Sequence, residues 1–251
     1  MDPRAKLRAA GAAIRAQLGL AAAQDSLAPG LSSLVDEVAF GRLWGRPGLS
    51  LELRMLATLS ALTSRQYLPQ LEVYAGAARA LGISARAIQE VMIHCALYAG
   101  LPSAENSLAA VARALQSRGE TAPEETLSPL PLDALERLGV ETMEALHAER
   151  AAGGYAAAES AAAALYDTAR QYGYGEIWNR PGLDRRERMV CSIAAFTALE
   201  LESQQRKFFR SALNVGLSRE EILETINQTG PYSGFPPALN ALVVAEAALA
   251  R

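Results

Sequence analysis

The chain has 251 residues, with 24 basic and 27 acidic side chains, a formal net charge of -3 and hydrophobic residues at half of its positions. This length suits one large domain or two small ones, and the near balance of charge argues against intrinsic disorder and against a nucleic-acid or anionic-membrane partner. No apolar run approaches the roughly 18 residues of a membrane helix, and basic residues interrupt any signal-peptide apolar region near the start. We therefore expect a cytoplasmic protein.

The few cysteines and histidines narrow the chemistry further. Cys95 and Cys191 lie 96 positions apart, so no CxxC pair exists for dithiol redox chemistry or zinc binding. His94 and His147 are too far apart in sequence for an HExxH zinc motif, and GxGxxG, GxxxxGK[ST] and GxSxG motifs are also missing. We predict neither a metal nor an organic cofactor.

Taken in chain order, the apolar positions of the first half predict four helices. Ser50 is placed to cap the first helix, and the second ends at Gly82. Ser84 caps the third helix, which Gly100-Leu-Pro102 ends, and the fourth is expected from about Ser103 to Leu115. The stripes at helical spacing are Leu53, Leu56, Ala57 and Ser60; Leu71, Tyr74, Ala75, Ala78 and Leu81; and Ile88, Val91, Met92 and Cys95.

The pattern of the first half returns in the second half. Trp44-Gly-Arg46-Pro-Gly-Leu reappears as Trp178-Asn-Arg180-Pro-Gly-Leu, 134 positions later. A repeat this long indicates duplicated domains rather than a solenoid. The same offset relates Arg54 to Arg188, Gly82 to Gly216, Glu90 to Glu224, Tyr98 to Tyr232 and Asn106 to Asn240.

We predict an all-α fold made of two tandem helical modules. The modules are residues 1–117 and 132–251, and residues 118–131 form a linker that is rich in proline and acidic residues. No alternating run of β-branched residues suggests a strand. Two capping-box pairs are expected to begin helices of the second module, Asp184 with Glu187 and Ser218 with Glu221.

The third helix carries the candidate acid–base residues. Glu90, His94 and Tyr98 are spaced at i, i+4 and i+8, which places them on roughly one side of the helix. A carboxylate one turn from an imidazole can orient it for proton transfer, and a tyrosine hydroxyl can bind a substrate oxygen. The alternative is an ordinary helix-surface pair or a buried interface histidine. The second module has Gln228 where the first has His94, so this site contains one imidazole per chain.

These residues carry a resemblance. The Trp-x-Arg-Pro-Gly-Leu segment, and the run from His94 to Asn106 that reads H-x-A-x-Y-x-G-x-P-x-A-x-N, resemble the carboxymuconolactone decarboxylase family. The similarity covers both modules and implies a tandem member with the AhpD-like all-helical fold. It also implies a homo-oligomer, either a trimer or a dimer of two-module chains, and a small-molecule substrate.

The sequence departs from the family at the second helix. The peroxidase branch has C-x-x-C-x-x-x-H there, but the matching positions are Tyr67, Gln70 and Tyr74 in the first module. In the second module these positions are Leu201, Gln204 and Phe208. Thiol-peroxidase activity is therefore not expected, and the histidine that the decarboxylase branch keeps on this helix is replaced in both modules.

Four further residues are candidates for binding the substrate. Tyr74 replaces the missing imidazole with a phenol, and Tyr67 lies on the same side of that helix, although core packing is the alternative for Tyr67. Arg54 is suited to binding a carboxylate, with a structural ion pair to Glu90 or Glu224 as the alternative. Glu72 is as readily a surface residue.

Together these residues suggest a cofactor-independent lyase of the decarboxylase type. Its substrate would be a small carboxylated lactone or a related enolisable acid, with proton transfer by His94. Two alternatives stay open. One is another cofactor-free step in a biosynthetic pathway, such as isomerisation, hydrolysis, dehydration or cyclisation, and the other is a non-catalytic oligomeric scaffold.

Overall fold

The computed structural model describes residues 2–22, 28–121, 123, 128–151 and 161–250. All regular structure within these ranges is helical, which confirms the predicted all-α fold. The predicted linker, residues 118–131, lies partly outside the described ranges. The helices are α1 (Pro3–Gln17), α2 (Leu31–Val35), α3 (Leu51–Arg65), α4 (Leu68–Ala80), α5 (Ala85–Ala99), α6 (Leu101–Ser117), α7 (Leu132–His147), α8 (Ala163–Thr168), α9 (Arg185–Ala198), α10 (Glu202–Asn214), α11 (Arg219–Ser233) and α12 (Phe235–Leu249).

The two modules repeat the same order of helices. Helices α3 to α6 return as α9 to α12, and α4 and α10 have the same bounds after the shift of 134 positions. A π-helical segment precedes each set, at Asp36–Trp44 after α2 and at Ala169–Glu176 after α8. None of the described helices is long and apolar enough to cross a membrane.

The predicted helix caps are present. The Ser50 hydroxyl accepts a hydrogen bond from the Leu53 N–H at 3.3 Å, and both capping boxes of the second module form. The fourth helix, α6, begins and ends two residues beyond the predicted 103–115. It begins early because Pro102 lies in its first turn, where proline needs no helical hydrogen-bond partner.

Helices α3 and α9 form the centre of the molecule. The sequence predicts a single apolar stripe on α3, but every residue from Leu53 to Ser64 is buried. The reason is that α3 packs on α4 and α5 of its own module and also on α9 and α11 of the other. Helix α9 is buried in the same way from Arg188 to Ala198. The two modules therefore share one hydrophobic core rather than burying one each.

Helices α1 and α7 pack closely on the π-helical segments through glycine. A Cβ atom on Gly11 would lie 1.9 Å from the Asp36 carbonyl oxygen, and one on Gly139 would lie 2.2 Å from the Arg170 carbonyl oxygen. Only glycine allows this approach. Since Gly139 occupies the place of Gly11, α1 and α7 are related by an offset of 128 positions, and His147 at the end of α7 corresponds to Gly19.

Candidate active site

Two buried ion-pair clusters join the modules. Glu90 on α5 accepts hydrogen bonds from Arg180 at 3.0 Å and from Arg188 at 3.0 Å. The first-module arginines make the same contacts with Glu224 on α11, from Arg46 at 2.7 Å and Arg54 at 2.9 Å. Each cluster thus combines arginines of one module with the glutamate of the other.

The repeated Trp-x-Arg-Pro-Gly-Leu segment builds these clusters. Its arginine, Arg46 or Arg180, reaches across to the glutamate of the other module. The glycine of the second copy, Gly182, has a φ of +107°, and a Cβ atom there would lie 2.6 Å from Cγ of Arg86 and 3.1 Å from Cγ of Glu90. Glycine is required because this φ strains other residues and the turn must approach Glu90 closely.

The ion pairs change the expected roles of two candidate residues. Arg54 is fully buried and donates hydrogen bonds to Glu224, Gln228 and the backbone carbonyls of residues 46 and 47. It therefore forms the structural ion pair that was the alternative to binding a substrate carboxylate. The predicted pairing of Glu90 with His94 is replaced by the pairing of Glu90 with the two arginines. Among the described residues no hydrogen bond joins Glu90 to His94. The Glu90 carboxylate accepts hydrogen bonds from the two arginines, whose charged groups are stronger donors than a neutral imidazole.

His94 instead bonds a serine on α9. The Nε2 atom of His94 and the hydroxyl oxygen of Tyr98 each lie 2.8 Å from Oγ of Ser192. Ser192 donates its own proton to the Arg188 carbonyl at 3.0 Å. Because Ser192 has one proton to donate, His94 and Tyr98 must both donate to it, and the network assigns the proton of the neutral imidazole to Nε2. Two hydrogen-bond donors therefore converge on one oxygen atom.

Burial fixes the protonation of both donors. It lowers the pKa of His94 well below the ordinary value of 6.5, and the positive charge of Arg188 lowers it further. His94 is therefore neutral at neutral pH. Burial raises the pKa of Tyr98 above the ordinary value of 10, so its phenol keeps the proton that it donates.

The other nitrogen of His94 is a buried acceptor. Within the described residues, Nδ1 of His94 and Nη1 of Arg188 have no hydrogen-bond partner. At the equivalent place in the other cluster, Nη1 of Arg54 donates to Oε1 of Gln228 at 3.2 Å. Buried polar atoms are rarely left without a partner, so a bound substrate that donates to Nδ1 would explain the free lone pair of His94.

His94 and Tyr98 belong to a closed circuit of aromatic rings. Each ring contacts the next with centroids between 4.5 and 6.5 Å apart, and the last returns to the first. The aromatic circuit consists, in order, of His94, Tyr98, Phe196, Phe208, His147, Tyr174 and Trp178. We call these residues, with Ser192 and Arg188, the histidine cluster. It combines helices from both modules.

Tyr74 lies in a separate cluster at the equivalent place of the first module. Its hydroxyl is 2.9 Å from that of Tyr232, which accepts a hydrogen bond from Trp44 at 2.7 Å. Gln228 donates to Thr58 at 3.1 Å, where His94 donates to Ser192 in the histidine cluster. These five residues form the glutamine cluster. Burial raises the pKa of Tyr74 well above 10 and that of Tyr232 to about 12.

The two remaining candidates lie outside both clusters. Tyr67 is 42% exposed, and the Arg65 guanidinium lies 5.9 Å from the centroid of its ring. Glu72 forms an ion pair with Arg113 at 2.8 Å and lines a groove of about 560 Å³ on the first module. The sequence grouped Tyr67, Glu72 and Tyr74 with His94 because all lie in one module, but Ser192 and Trp178, which contact His94, lie in the other module.

The sequence did not predict Ser192 as the partner of His94 and Tyr98, or the places of His147 and Tyr174 in the aromatic circuit. Ser192 is matched by Thr58 under the repeat, which was the available signal. His147 was the second of only two histidines, but no motif links it to His94. Cys95 and Cys191 are buried, and no group of three or more potential metal ligands occurs among the described residues.

Both modules match one known family. Residues 29–113 and 163–247 each match the carboxymuconolactone decarboxylase family, and the two matches are again 134 positions apart. The chain therefore belongs to the carboxymuconolactone decarboxylase family and carries its domain twice, which confirms the resemblance found in the sequence.

Three relatives match one stretch of the chain each. The 4-carboxymuconolactone decarboxylase of Acinetobacter baylyi is 36% identical over 76 residues, which are 30% of this chain and 57% of that protein. An uncharacterized 15.0 kDa protein of Paracoccus denitrificans is 36% identical over 80 residues, 31% of this chain and 60% of that protein. The nitrosuccinic acid decarboxylase of Metarhizium robertsii is 30% identical over 76 residues, 30% of this chain and 53% of that protein. The chain spans just over half the length of these relatives.

Proposed function

We propose that the chain is a cofactor-independent lyase of the decarboxylase type, with the histidine cluster as its active site. Its substrate is a small carboxylated lactone or a related enolisable acid. The observation that carries the proposal is the convergence of His94 and Tyr98 on a single oxygen atom, Oγ of Ser192, inside a buried aromatic wall. Two related proteins with decarboxylase names support the reaction class.

The geometry suits a reaction that passes through an enolate. When the bond to the carboxyl carbon breaks, CO₂ leaves and the bonding electron pair stays on the substrate as an enolate. Donors held in a dry site stabilise the enolate oxygen, because the low dielectric strengthens their hydrogen bonds. In our proposal the Tyr98 hydroxyl and the Nε2–H of His94 turn from Ser192 to this oxygen.

His94 also accepts a proton from the substrate and returns it. The free lone pair on Nδ1 accepts the proton of the substrate acid, which leaves a carboxylate ready to lose CO₂. The low pKa of His94 keeps this lone pair available at neutral pH. After CO₂ has left, the protonated His94 returns this proton to the enolate carbon and becomes neutral again, so the acid is converted to CO₂ and the product with no net change in protons.

The names of the relatives suggest which compounds to test. 4-Carboxymuconolactone and nitrosuccinic acid are both small carboxylic acids by name. The experiment measures CO₂ release from each compound by the wild-type protein and by His94→Gln. Glutamine occupies the equivalent position at Gln228, so the fold accepts it. We expect the exchange to lower kcat/KM by about 10²-fold or more, the usual contribution of general acid–base catalysis.

Gln228→His is the matched control, because it makes the reverse exchange in the glutamine cluster. It should leave the wild-type rate unchanged. Full activity in His94→Gln with an unchanged circular dichroism spectrum would overturn the assignment of His94. Conversion of a compound without CO₂ release would favour isomerisation or another cofactor-free step, and no conversion of either compound would contradict the lyase proposal. The cytoplasmic location and the homo-oligomer remain predictions of the sequence and of its resemblance.

A further inference from the structure

Arg188 is a buried cation whose hydrogen-bond donors are only partly used. Its side chain is fully buried, and Nη2 donates to Oε2 of Glu90 at 3.0 Å and to the Arg180 carbonyl at 2.7 Å. Neither Nε nor Nη1 has a hydrogen-bond partner in the part of the chain that the structure describes. Because unpaired donors of a buried charged group cost free energy, these atoms call for a physical explanation.

The equivalent arginine of the first module shows which contact is missing. Nη1 of Arg54 donates to Oε1 of Gln228 at 3.2 Å, and Nε2 of the same amide donates to Thr58 at 3.1 Å. In the histidine cluster, Nε2 of His94 makes the second of these contacts, with Ser192 in the place of Thr58. The other polar atom of the ring, Nδ1, therefore takes the place of the amide oxygen, but within the described ranges it has no partner.

The two unpaired atoms are complementary. Under the repeat, Nη1 of Arg188 and Nδ1 of His94 take the places of a donor and an acceptor that meet directly in the glutamine cluster. The charge of Arg188 also lowers the pKa of His94, as expected of neighbouring groups. Nη1 can only donate, and Nδ1 can only accept while Nε2 carries the proton. A group that joins them must accept from one and donate to the other.

A carboxylic acid meets this requirement with its two oxygen atoms. We infer that Arg188 and His94 together bind the carboxyl group that the substrate loses, with its carbonyl oxygen accepting from Nη1 and its hydroxyl donating to Nδ1. This inference rests on the proposed function and extends it to the residue that recognises the carboxyl group. It gives Arg188 the role that the sequence suggested for Arg54, whose Nη1 already bonds Gln228.

The subsite suits each stage of the proposed reaction. The hydroxyl proton passes to Nδ1 of His94, and Nη1 of Arg188 keeps the resulting carboxylate oriented. Glu90 lies 3.0 Å from the same guanidinium and offsets its charge, so the carboxylate is oriented without being held in a strong ion pair. When the bond to the carboxyl carbon breaks, its electron pair stays on the substrate and CO₂ leaves. The proton on Nδ1 then returns to the carbon that CO₂ has left.

Binding of unreactive carboxylates tests the subsite without turnover. The wild-type protein is labelled with ¹⁵N at histidine and titrated with formate and, separately, with acetate, and His94→Gln assigns the His94 signals in nuclear magnetic resonance spectra. Both probes are anions near neutral pH, so the bound carboxyl group must take up one proton from solution. We expect at least one probe to move the Nδ1 signal, with a Kd that rises about tenfold from pH 6.5 to 7.5.

Methyl acetate is the control ligand, because it has no proton to donate to Nδ1 of His94. It should leave the Nδ1 signal unchanged. No shift with either carboxylate, a Kd that does not depend on pH, or an equal shift with the ester would overturn the inference.

Arginine variants identify the second partner. Arg188→Lys keeps a positive charge beside Glu90 but loses the planar Nη1 donor, and it should raise the Kd of the bound probe about tenfold or more. Arg54→Lys is the matched control and should leave this Kd unchanged. If Arg188→Lys does not fold, Arg188→Met combined with Glu90→Met removes both charges of the pair, and Arg54→Met combined with Glu224→Met is its control.

The outcomes separate the subsite from the reaction. A wild-type Kd after the loss of Arg188, or the same weakening after the loss of Arg54, would overturn the inference. Proton-linked binding that depends on Arg188, without CO₂ release from either test compound, would retain the subsite and reject only the proposed reaction.

Discussion

The histidine cluster and the glutamine cluster occupy equivalent places but differ in what they can do. Both are bounded by a buried glutamate of one module and two arginines of the other. In one, an imidazole donates to Ser192, and in the other an amide donates to Thr58. An amide can donate and accept hydrogen bonds, but it cannot carry a proton from one site to another near neutral pH. Under the proposed function, the comparison separates the contacts that assemble the modules from those that take part in catalysis.

The conserved part of the repeat is therefore mainly architectural. Glu90, which its spacing to His94 predicted as part of an acid–base site, and its equivalent Glu224 both form ion pairs that join the modules. Among the positions that differ between the clusters is His94, a titratable residue, which is replaced by Gln228. In a duplicated chain, the difference between copies is a better guide to the active site than their similarity.

The largest effect should come from the ion pairs. Glu90→Gln leaves the fully buried Arg188 without its negative partner, and breaking a buried pair in this way costs about 3–5 kcal/mol. Glu224→Gln should cost less, because the side chain of Arg46 is 46% exposed and solvent screens its charge. Urea denaturation at neutral pH measures both free energies of unfolding. Equal losses of unfolding free energy would show that the two ion-pair clusters contribute equally to stability.

The next effect concerns activity. Tyr98→Phe removes one of the two donors that converge on Ser192, and loss of one such donor lowers kcat by about 10²-fold. Tyr232→Phe removes a buried hydroxyl of the glutamine cluster that bonds Trp44 and Tyr74, and it should leave kcat unchanged. Steady-state rates of CO₂ release compare the two variants. A similar loss in both would show that the glutamine cluster is also an active site.

The smallest effect is on the pH dependence of stability. His94 has a lower pKa in the folded chain than the ordinary 6.5, so below about pH 6.5 the unfolded chain binds more protons than the folded one. The free energy of unfolding should therefore fall as pH decreases below about 6.5, by up to about 1.4 kcal/mol per pH unit from this group. His94→Gln should flatten this part of the curve, while Gln228→His should steepen it. Thermal unfolding between pH 7.5 and 5 would detect an unchanged slope in His94→Gln, which would contradict the assignment.

The sequence predicted the fold well because the information is local or repeated. Helix caps such as Ser50 and Asp184 depend on the next few residues, and the offset of 134 positions depends only on identity. The burial of α3 on all sides was not predictable from one stripe, because its second face is covered by α9 and α11 of the other module. Local spacing describes a helix but not what lies across it.

The site was predicted in part for the same reason. His94 and Tyr98 share a helix and meet at Ser192. Their partners come from residues about 100 positions away in the other module, and no spacing rule connects these to His94. The expected contact of Glu90 with His94 is absent because two arginines of the other module bind the Glu90 carboxylate, and they give stronger charge-assisted hydrogen bonds.

The crossed ion pairs have a consequence for how the halves can be combined. Two copies of the first module, joined in the same way, would place His94 near the end of α1, where Gly19 takes the position of His147. Two copies of the second module would place Gln228 near His147. Only the mixed pair brings His94 of one half to His147 of the other. In a symmetric dimer of identical halves the two sites contain the same residues, so one site cannot hold both histidines while the other holds none. Linking two unequal halves in one polypeptide allows the asymmetry, and it fixes the two histidines at a strict ratio of one to one.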